Sequence, residues 1–353
     1  MKKILLTGGT GFIGSHTCLS LLEQENEVLI LDSNINSSSR SLEGISKILS
    51  LKKIFCKNKL KFIRGDINDE NLLKKIFHDA NEVDKPIDGV IHFAGLKSVK
   101  DSINKPLSYW ETNVSGTINL VKVMDMFNCR KIIFSSSASI YGLKNKGLLR
   151  EDSSIDPITP YGLTKASIEK FLQDVFTSSK GKWNIINLRY FNPIGAHCSG
   201  LIGEEITENT NNIFPLLIES AFSSTKGLQI YGNDWDTFDG TCVRDFIHVM
   251  DVADAHIRAF KFLSDKYSLF LSLNIGTGKG TSLMELIKTF EKVNRLNVEY
   301  IFSKRRVGDT PFVVADNFKA KKVLGWEPTR TLEDMCRDGW KWKKINPYGY
   351  SQN

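Results

Sequence analysis

Residues 1–16 read MKKILLTGGTGFIGSH, in which Gly8, Gly11 and Gly14 follow a short apolar run at a constant spacing. A tight turn after a strand needs a residue that tolerates positive φ, and glycine also lets a ligand approach the backbone closely. The helix that follows would present free N–H groups and a partial positive charge to phosphates. The spacing Gly-x-x-Gly-x-x-Gly differs from the commoner Gly-x-Gly-x-x-Gly fingerprint, and an ordinary tight turn is the alternative. The order of strand, turn and helix favours a phosphate-binding loop.

Short apolar runs alternate with amphipathic stretches through the first half of the chain. Strands that are almost wholly apolar are typical of a sheet covered on both faces. Their alternation with helices predicts an α/β fold with a Rossmann-type, doubly wound parallel sheet. The predicted strands are residues 3–7, 27–32, 60–66, 88–95, 130–137 and 183–193, and the predicted helices are residues 12–24, 69–79, 106–128 and 160–177.

The pattern of long alternating strands and helices ends after residue 192. A Gly- and Asn-rich loop at 195–212 is followed by short strands and helices and by the turn-rich stretch 232–241. These features predict a dinucleotide-binding domain at residues 1–192 and a smaller, mixed α/β substrate-binding domain at residues 193–353. We expect the segment at about 245–262 to return to the first domain.

Composition argues against several classes of protein. Of the 353 residues, 41% are hydrophobic and 25% are charged, as in globular proteins with a large core. The six cysteines are widely spaced, so we expect no disulfide scaffold or metal site and a cytoplasmic location. We expect no signal peptide and no membrane span. The net charge is +7, and its densest basic run, Lys341 to Lys344, is interpreted as a solvated helix face rather than a nucleic-acid or membrane surface.

Asp32 ends the second predicted strand, 18 residues after Gly14. A carboxylate at this place would accept hydrogen bonds from the adenosine ribose and would repel a 2′-phosphate. The residue therefore predicts NAD rather than NADP as the cofactor. An aspartate that only caps the following loop is an equally good interpretation of this residue alone.

Tyr161 and Lys165 lie four residues apart on a predicted helix, so both side chains share one face. A phenol with an ordinary pKa near ~10 is a poor base at neutral pH. A nearby ammonium would lower that pKa, so the pair could act as a general base or acid. Ser137 ends the fifth predicted strand, at the sheet edge where such folds bind ligands. An amphipathic surface helix is the alternative explanation of the spacing.

Together these residues resemble the extended short-chain dehydrogenase/reductase family, and longer motifs resemble the UDP-glucose 4-epimerase family within it. The motifs cover nearly the whole chain: TGGTGFIGSHT, HFAGLKSV, FSSSASIYG, PYGLTK, LRYFNPIGAH, DGTCVRDFIHVMDVADAH and RRVGDTP. The resemblance implies NAD-dependent 4-epimerisation of UDP-hexoses, in which hydride leaves C4 of the sugar and returns to the opposite face of a 4-keto intermediate. It also implies a homodimer, for which the predicted helix at 106–128 is a candidate face.

The resemblance implies a role for each matching residue. Tyr161 is the implied acid and base, Lys165 lowers its pKa and holds the nicotinamide ribose, and Ser137 binds the 4-oxygen. The implied cofactor contacts are Gly8, Gly11, Phe12, Ile13, Gly14, Asp32, Asn36, Ser37, Asp66, Ile67, Phe93, Ala94, Gly95, Lys97, Asn113, Tyr161, Lys165 and Phe191. The implied UDP-sugar contacts are Ser137, Tyr161, Asn192, Asn211, Asn212, Ile213, Tyr231, Arg244, Arg306, Asp309 and Val313.

Val313 stands where members of the family carry a gate residue. Members with a bulky tyrosine there tend to exclude N-acetylated sugars. The smaller valine therefore predicts that the protein accepts UDP-N-acetylglucosamine and UDP-N-acetylgalactosamine as well as UDP-glucose and UDP-galactose, unless Val313 is simply a core residue.

Two alternative functions share this fold. A nucleotide-sugar 4,6-dehydratase would need carboxylates beside the catalytic serine, where this chain has Ala138 and Ser139. A catalytically silent NAD-sensing protein would be expected to lack the tyrosine, the lysine or the serine, and all three are present.

Overall fold

The computed structural model describes residues 1–54, 58–143, 147–206, 210–223, 227–306 and 309–350. The opening stretch forms strand β1 (Lys3–Thr7) and helix α1 (Phe12–Glu23), with Gly8 at φ +71° in the turn between them. The alternation predicted from the sequence continues through β2 (Glu27–Asp32), α2 (Ser41–Leu51), β3 (Leu60–Arg64), α3 (Glu70–Glu82) and β4 (Gly89–His92).

Three further strands, β5 (Lys131–Ser137), β6 (Asn184–Tyr190) and β11 (Leu269–Ile275), complete a central sheet. Its order is β11-β6-β5-β4-β1-β2-β3, and every pairing is parallel. Apolar strands in the middle of the sheet are buried on both faces, whereas the edge strand β3 is partly exposed. The strand order reverses between β1 and β4, as in Rossmann-type sheets. The predicted fold class is therefore confirmed.

The long helix predicted at 106–128 is interrupted. The chain forms α4 (Val99–Asn104), α5 (Pro106–Tyr109), a π-helical turn at Trp110–Ser115 and then α6 (Gly116–Met126). A π-helical turn widens the hydrogen-bonded ring by one residue, and the apolar periodicity of a sequence does not reveal it. The turn contains Asn113, which is buried.

Helix α7 (Pro160–Ser178) begins where the sequence predicts. The Thr159 hydroxyl accepts a hydrogen bond from the Gly162 N–H at 3.2 Å, and Pro160 occupies the first helical position, where its missing N–H costs nothing. The helix packs against β5 and β6. It follows a 3₁₀ turn at Ala138–Ile140 that begins directly after β5.

Shorter elements form the rest of the second half of the chain. They are β7 (Asn192–Ile194), α8 (Ile213–Ser223), β8 (Leu228–Tyr231), β9 (Val243–Arg244), β10 (Phe246–His248), α9 (Val249–Ser264), β12 (Thr281–Ser282), α10 (Leu283–Asn294), β13 (Tyr300–Ser303), β14 (Phe312–Val313), α11 (Phe318–Leu324) and α12 (Leu332–Ile345). Three small sheets arise here, with the orders β10-β7, β12-β9-β14 and β13-β8. Phe214, Phe290 and Met335 belong to a buried cluster that joins α8, α10 and α12.

Two parts of the second half return to the central sheet. Helix α9 packs along α1 and against β5 and β6, in the region where the segment 245–262 was expected to return. Strand β11 lies beyond that segment, yet it pairs with β6 along its whole length. Helix α11 packs against both α9 and β11. The division into two domains at residue 192 stays a prediction. It did not include β11, which comes from the second half of the chain but belongs to the central sheet.

The basic run at 341–344 is a solvated helix face only at Lys341 and Lys344, which are exposed, and the interpretation was wrong for Lys343. Trp342 and Lys343 are only 4% and 7% exposed. The Lys343 ammonium lies 2.6 Å from a Glu219 carboxylate oxygen and donates to the Pro347 carbonyl at 2.8 Å. A lysine stem can be buried when its charged end keeps a partner, and this one ties α12 to α8.

The sequence also predicts the absence of a membrane span and of a metal site. Within the described ranges, no helix is long and apolar enough to cross a membrane, and no group of His, Cys, Asp or Glu could hold a metal ion. Cys129, Cys198, Cys242 and Cys336 are free thiols. Cys56 lies outside the described residues.

Candidate functional site

A cavity of about 1120 Å³ lies at the carboxyl ends of the central strands and extends to the second half of the chain. It covers the place where the strand order reverses, which is where open α/β sheets bind ligands. A pocket for one small molecule typically measures roughly 300–1,000 Å³, so this cavity has room for two ligands side by side. Every residue assigned above to the cofactor or the substrate lines it, except Asn113, Asn211, Tyr231 and Arg306.

The three evenly spaced glycines of the opening stretch, Gly8, Gly11 and Gly14, are needed for different reasons. A Cβ on Gly14 would lie 2.3 Å from the Gly8 carbonyl oxygen, and a Cβ on Gly8 would lie 2.6 Å from the Ala94 nitrogen. A Cβ on Gly11 would meet only the Gly8 oxygen, at 3.4 Å. Gly11 is the N-cap of α1 and offers no capping side chain, so the first N–H groups of the helix remain available at the cavity. Such a helix N-terminus binds phosphate.

Asp32 organises the loop after β2. Its Oδ2 accepts from the N–H and the hydroxyl of Thr10 at 3.0 and 2.6 Å. Its Oδ1 accepts from the Asn34 N–H at 3.0 Å and the Ser37 hydroxyl at 2.9 Å. These four bonds occupy the acceptor sites of an ionised carboxylate. Asp32 therefore caps its loop, and a ribose hydroxyl at this place would have to replace one of these donors.

Residues at the end of β5 hold the inward face of α7. The Lys165 ammonium donates to the Ser135 carbonyl at 2.8 Å and lies 5.9 Å from the centre of the Tyr161 ring. Tyr161 is hydrogen-bonded to Ser137. The hydroxyl of Ser137 also accepts from the N–H and the hydroxyl of Ser139, at 3.2 and 3.0 Å. The phenol, the ammonium and the serine hydroxyl thus meet at one wall of the cavity, as the sequence predicts.

Burial dominates the ionisation of this group. Burial lowers the pKa of Lys165 to about 8, against an opposing contribution from the Glu169 carboxylate. Burial raises the pKa of Tyr161, and the hydrogen bond from Ser137 only partly offsets it. The expectation that Lys165 holds the Tyr161 pKa below its ordinary value is therefore wrong for the protein alone. The free energy that the phenolate loses on removal from water exceeds the stabilisation that its neighbours provide.

The second half of the chain also lines the cavity. Asn192 follows β6, Asn212 and Ile213 lie at the start of α8, and Arg244 and Asp309 also line the cavity. The Arg244 guanidinium donates to the carbonyls of Val243 and Thr310, each at 2.9 Å. These bonds tie it to the backbone that leads into β14. A second helix N-terminus and a guanidinium therefore face the same cavity as the glycine loop.

Val313 fits both interpretations that the sequence left open. Its side chain packs against a small buried cluster that includes Leu149, Phe191 and Ala315. It also lines the cavity. β14 pairs with β9 so that Val313 lies opposite Arg244, and both residues line the cavity.

Four assigned residues lie away from the cavity wall. The Asn113 amide bonds the N–H and the carbonyl of Leu96, at 2.8 and 3.1 Å, and so fixes the loop after β4 from behind. The Arg306 guanidinium lies 3.7 Å from the centre of the Tyr231 ring, so these two residues bind each other. Asn211 precedes the start of α8 without lining the cavity.

Several residues that line or shape the site were not predicted from the sequence. Glu204 lines the cavity and forms an ion pair with Lys97 at 3.0 Å. Thr10 links the glycine loop to Asp32. Tyr190 lines the cavity at the end of β6, and burial raises its pKa. Position at the carboxyl end of a predicted strand was an available signal for Tyr190, whereas the Glu204 pair depends on tertiary contact.

The chain is similar to known nucleotide-sugar enzymes over its full length. A family model described as GDP-mannose 4,6 dehydratase matches residues 5–339. The UDP-glucose 4-epimerase of Yersinia enterocolitica is 45% identical over 350 residues, which cover 99% of each chain. The UDP-glucose 4-epimerase of Stenotrophomonas maltophila, solved with bound NAD and formylated UDP-arabinopyranose, superimposes with a TM-score of 0.92 at 39% identity over 98% of this chain and 99% of that one. The UDP-Glc/GlcNAc 4-epimerase of Campylobacter jejuni superimposes with a TM-score of 0.82 at 31% identity over 98% of this chain and 100% of that one.

Proposed function

The chain belongs to the UDP-glucose 4-epimerase family, and on this premise we propose that it interconverts UDP-glucose and UDP-galactose with NAD bound in the cavity. The observation that carries the proposal is the meeting of Tyr161, Lys165 and Ser137 on one cavity wall, beside the glycine loop. A base, a charge that stabilises it and a donor to the reacting oxygen are the groups that a reversible oxidation at C4 requires.

The glycine loop supports NAD as the cofactor. The backbone at Gly8 and Gly14 has no room for a Cβ, and the uncapped start of α1 at Gly11 offers N–H groups to a pyrophosphate. Asp32, Asn36 and Ser37 line the cavity where the adenosine ribose would lie. When bound, NAD supplies an acceptor for the hydride from C4 of the sugar and returns that hydride to either face.

The residues of the chain move the proton and hold the reacting oxygen. Tyr161 takes the proton of the sugar 4-hydroxyl as the C4 carbonyl forms, and it returns the proton after the keto sugar has turned over. The Ser137 hydroxyl donates to the same oxygen and limits its movement. The Lys165 ammonium offsets the charge on the phenolate, whose burial otherwise opposes ionisation. The volume of about 1120 Å³ supports turning of a sugar beside a bound cofactor.

We assign the diphosphate to the second half of the site. Arg244 presents a guanidinium, which pairs well with phosphate oxygens, and Asn212 and Ile213 begin a helix whose N-terminus favours anions. Val313 has the size that would admit an N-acetyl group, so we propose UDP-N-acetylglucosamine and UDP-N-acetylgalactosamine as further substrates. The similarity to the Campylobacter jejuni enzyme supports this range.

We also propose a homodimer. Large apolar side chains are exposed on the neighbouring helices α4, α5 and α7: Val99 at 45%, Ile103 at 61%, Leu107 at 85% and Leu163 at 43%. A patch of this kind on a folded protein marks an interaction surface, and its helices include the region expected from the sequence to form the dimer. The cytoplasmic location and the two-domain division at residue 192 stay predictions.

A 4,6-dehydratase is the alternative that the family description raises. That reaction needs acidic groups beside the serine to remove the C5 proton and expel the C6 hydroxyl. Here Ala138 and Ser139 occupy the adjacent cavity wall, and Ser139 is hydrogen-bonded to Ser137. These neighbours favour the epimerase.

The deciding experiment incubates the purified protein with UDP-galactose, without added cofactor, and resolves the products by NMR. We expect UDP-glucose to form. Tyr161→Phe keeps the ring but removes the proton carrier, so we expect kcat to fall by a factor of about 10²–10⁴ with UDP binding retained. A 4-keto-6-deoxy product, or no turnover even when NAD is added, would overturn the proposal.

A further inference from the structure

The inward face of α7 carries a third functional residue, Glu169, one turn beyond Lys165. Tyr161, Lys165 and Glu169 are spaced four residues apart and therefore share a face of the helix. All three meet the end of β5: Tyr161 through Ser137, Lys165 through the Ser135 carbonyl, and Glu169 through the Ser136 hydroxyl. The structure thus joins three consecutive serines to three consecutive turns of one helix.

The Glu169 carboxylate is buried and held in place. It is 5% exposed. Besides the Ser136 hydroxyl, it accepts hydrogen bonds from Arg189 of β6, whose Nε donates to the two carboxylate oxygens at 2.9 and 3.1 Å. Another nitrogen of Arg189 donates to the Tyr141 hydroxyl and the Glu151 carbonyl, each at 3.0 Å. A carboxylate with this many donors keeps one position.

Lys165 needs such a partner because its surroundings disfavour a charge. It is 5% exposed, and its ammonium makes one hydrogen bond, to a neutral carbonyl, among the contacts that the described residues provide. The face of the Phe134 ring lies 4.8 Å from the nitrogen and gives a modest further attraction. A buried ammonium with so few partners tends to lose its proton.

The other titratable groups around Lys165 and Tyr161 do not supply the missing negative charge. They come from three elements and are His92 of β4, Tyr109 of α5, and Arg189 and Tyr190 of β6. Burial lowers the pKa of His92 to about 3 and raises the pKa of Tyr109 to about 12, so both are neutral at pH 7. Arg189 is positive and bound to Glu169. The negative charge in this group belongs to Glu169.

We propose that Glu169 is a positioning residue for the reaction: its carboxylate, fixed by Ser136 and Arg189, keeps the Lys165 side chain in its ammonium form beside Tyr161. The inference rests on the proposed function for its consequence, because an unprotonated Lys165 could not stabilise the Tyr161 phenolate. The opposing contribution of Glu169 to the lowered pKa of Lys165 agrees with this geometry.

The test measures the protonation of Lys165 directly. Protein labelled with ¹³C-lysine is titrated by NMR, and the Lys165 resonance is assigned by its absence in Lys165→Met. Glu169→Gln keeps the shape of the side chain and removes its charge. We expect the Lys165 midpoint to fall by about one pH unit and the alkaline limb of the kcat profile for UDP-galactose to fall with it.

Asp174→Asn is the matched control. It removes the same charge from the same helix at a side chain that is 63% exposed, and we expect no movement of the midpoint. Should Glu169→Gln not fold, Glu169→Gln with Arg189→Met removes the whole ion pair and leaves no unpaired buried charge; a smaller downward shift is expected, because the Arg189 charge that opposes Glu169 is removed with it.

An unchanged Lys165 midpoint in either folded variant would overturn the inference. The titration does not depend on turnover. If the unsubstituted protein fails to convert UDP-galactose, the proposed function fails while the NMR result on Glu169 still stands.

Discussion

The Lys97 ammonium lies 3.0 Å from a Glu204 carboxylate oxygen, and this ion pair joins the two halves of the chain across the cavity. The Glu204 carbonyl also accepts from the indole N–H of Trp342 at 3.0 Å, so the loop that carries Glu204 is tied to α12. Lys97 is one of the residues assigned to the cofactor. Cofactor binding through Lys97 would therefore compete with Glu204.

Glu204→Gln removes this competition, so we expect the chain to bind NAD more tightly. The Lys97 side chain is 56% exposed, and ion pairs of this kind contribute about 0–1 kcal/mol. The gain in affinity should accordingly be no more than about five-fold. Calorimetric titration of cofactor-depleted protein with NAD measures it. Weaker binding by the variant would mean instead that Glu204 contacts the cofactor itself.

The glycines offer a matched pair of substitutions. Gly14→Ala places a Cβ 2.3 Å from the Gly8 oxygen and 2.8 Å from the Gly9 Cα, and two backbone atoms cannot move aside cheaply. We expect the free energy of unfolding to fall by more than about 2 kcal/mol. Gly11→Ala meets one atom at 3.4 Å and should cost less than about 1 kcal/mol. Urea unfolding of both variants without cofactor compares them.

Whether Gly11→Ala retains NAD then distinguishes an effect of the substitution on folding from an effect on cofactor binding. We expect this variant to fold normally and to lose cofactor on gel filtration, because its Cβ would stand at the N-terminus of α1. If it kept NAD as the unsubstituted protein does, Gly11 would be needed for neither purpose.

Lys165 should lower the stability of the protein at neutral pH. Its pKa falls from 10.5 to about 8 on folding, so the unfolded chain binds this proton more tightly. Below pH 8 both states are protonated and the folded state bears the full cost of the buried charge. Between pH 8 and 10.5 the folded state releases the proton first, and the contribution of this residue to stability rises with pH.

Lys165→Met removes that cost. We expect the free energy of unfolding at pH 7 to rise by about 1–2 kcal/mol, since a lost hydrogen bond to the Ser135 carbonyl offsets part of the gain. Turnover should be lost at the same time. Urea unfolding at pH 7 and at pH 10 tests the prediction: the advantage of the variant must shrink at the higher pH. An equal difference at the two values would contradict it.

Val313→Tyr tests the substrate range. The valine packs against Leu149 and Phe191 on the cavity wall, so a larger ring would extend into the space beside the sugar. We expect the variant to lose at least about ten-fold in kcat/KM on UDP-N-acetylgalactosamine relative to UDP-galactose, the factor that ~1.4 kcal/mol of steric cost gives. Val313→Ala should leave the ratio of the two unchanged. Equal losses on both substrates in the tyrosine variant would show that Val313 acts only in the core.

The sequence was sufficient for the local elements and for the residues that share them. The spacing of Tyr161 and Lys165, the cap at Thr159 and the glycine turn after β1 depend on positions within a few residues of each other. Each is therefore visible in the chain itself, and all are found in the structure.

What the sequence did not reveal depends on distant partners. β11 joins the central sheet because β6 leaves an open edge, although 269–275 lies beyond the segment expected to return. Lys343 is buried because Glu219 lies opposite it. The raised pKa of Tyr161 follows from burial, which no spacing of residues reports.

Strand β11 comes last in the sequence among the strands of the central sheet, and this limits which fragments of the protein can fold. A fragment that stops at residue 192 would retain six of the seven strands of the central sheet. It would expose the whole outer edge of β6, with its sequence NIINLRY, as unpaired N–H and carbonyl groups. Such a long edge, which is otherwise buried, is a template for self-association. The cofactor half is therefore not a separable module, and we expect it to aggregate when expressed without residues 249–275.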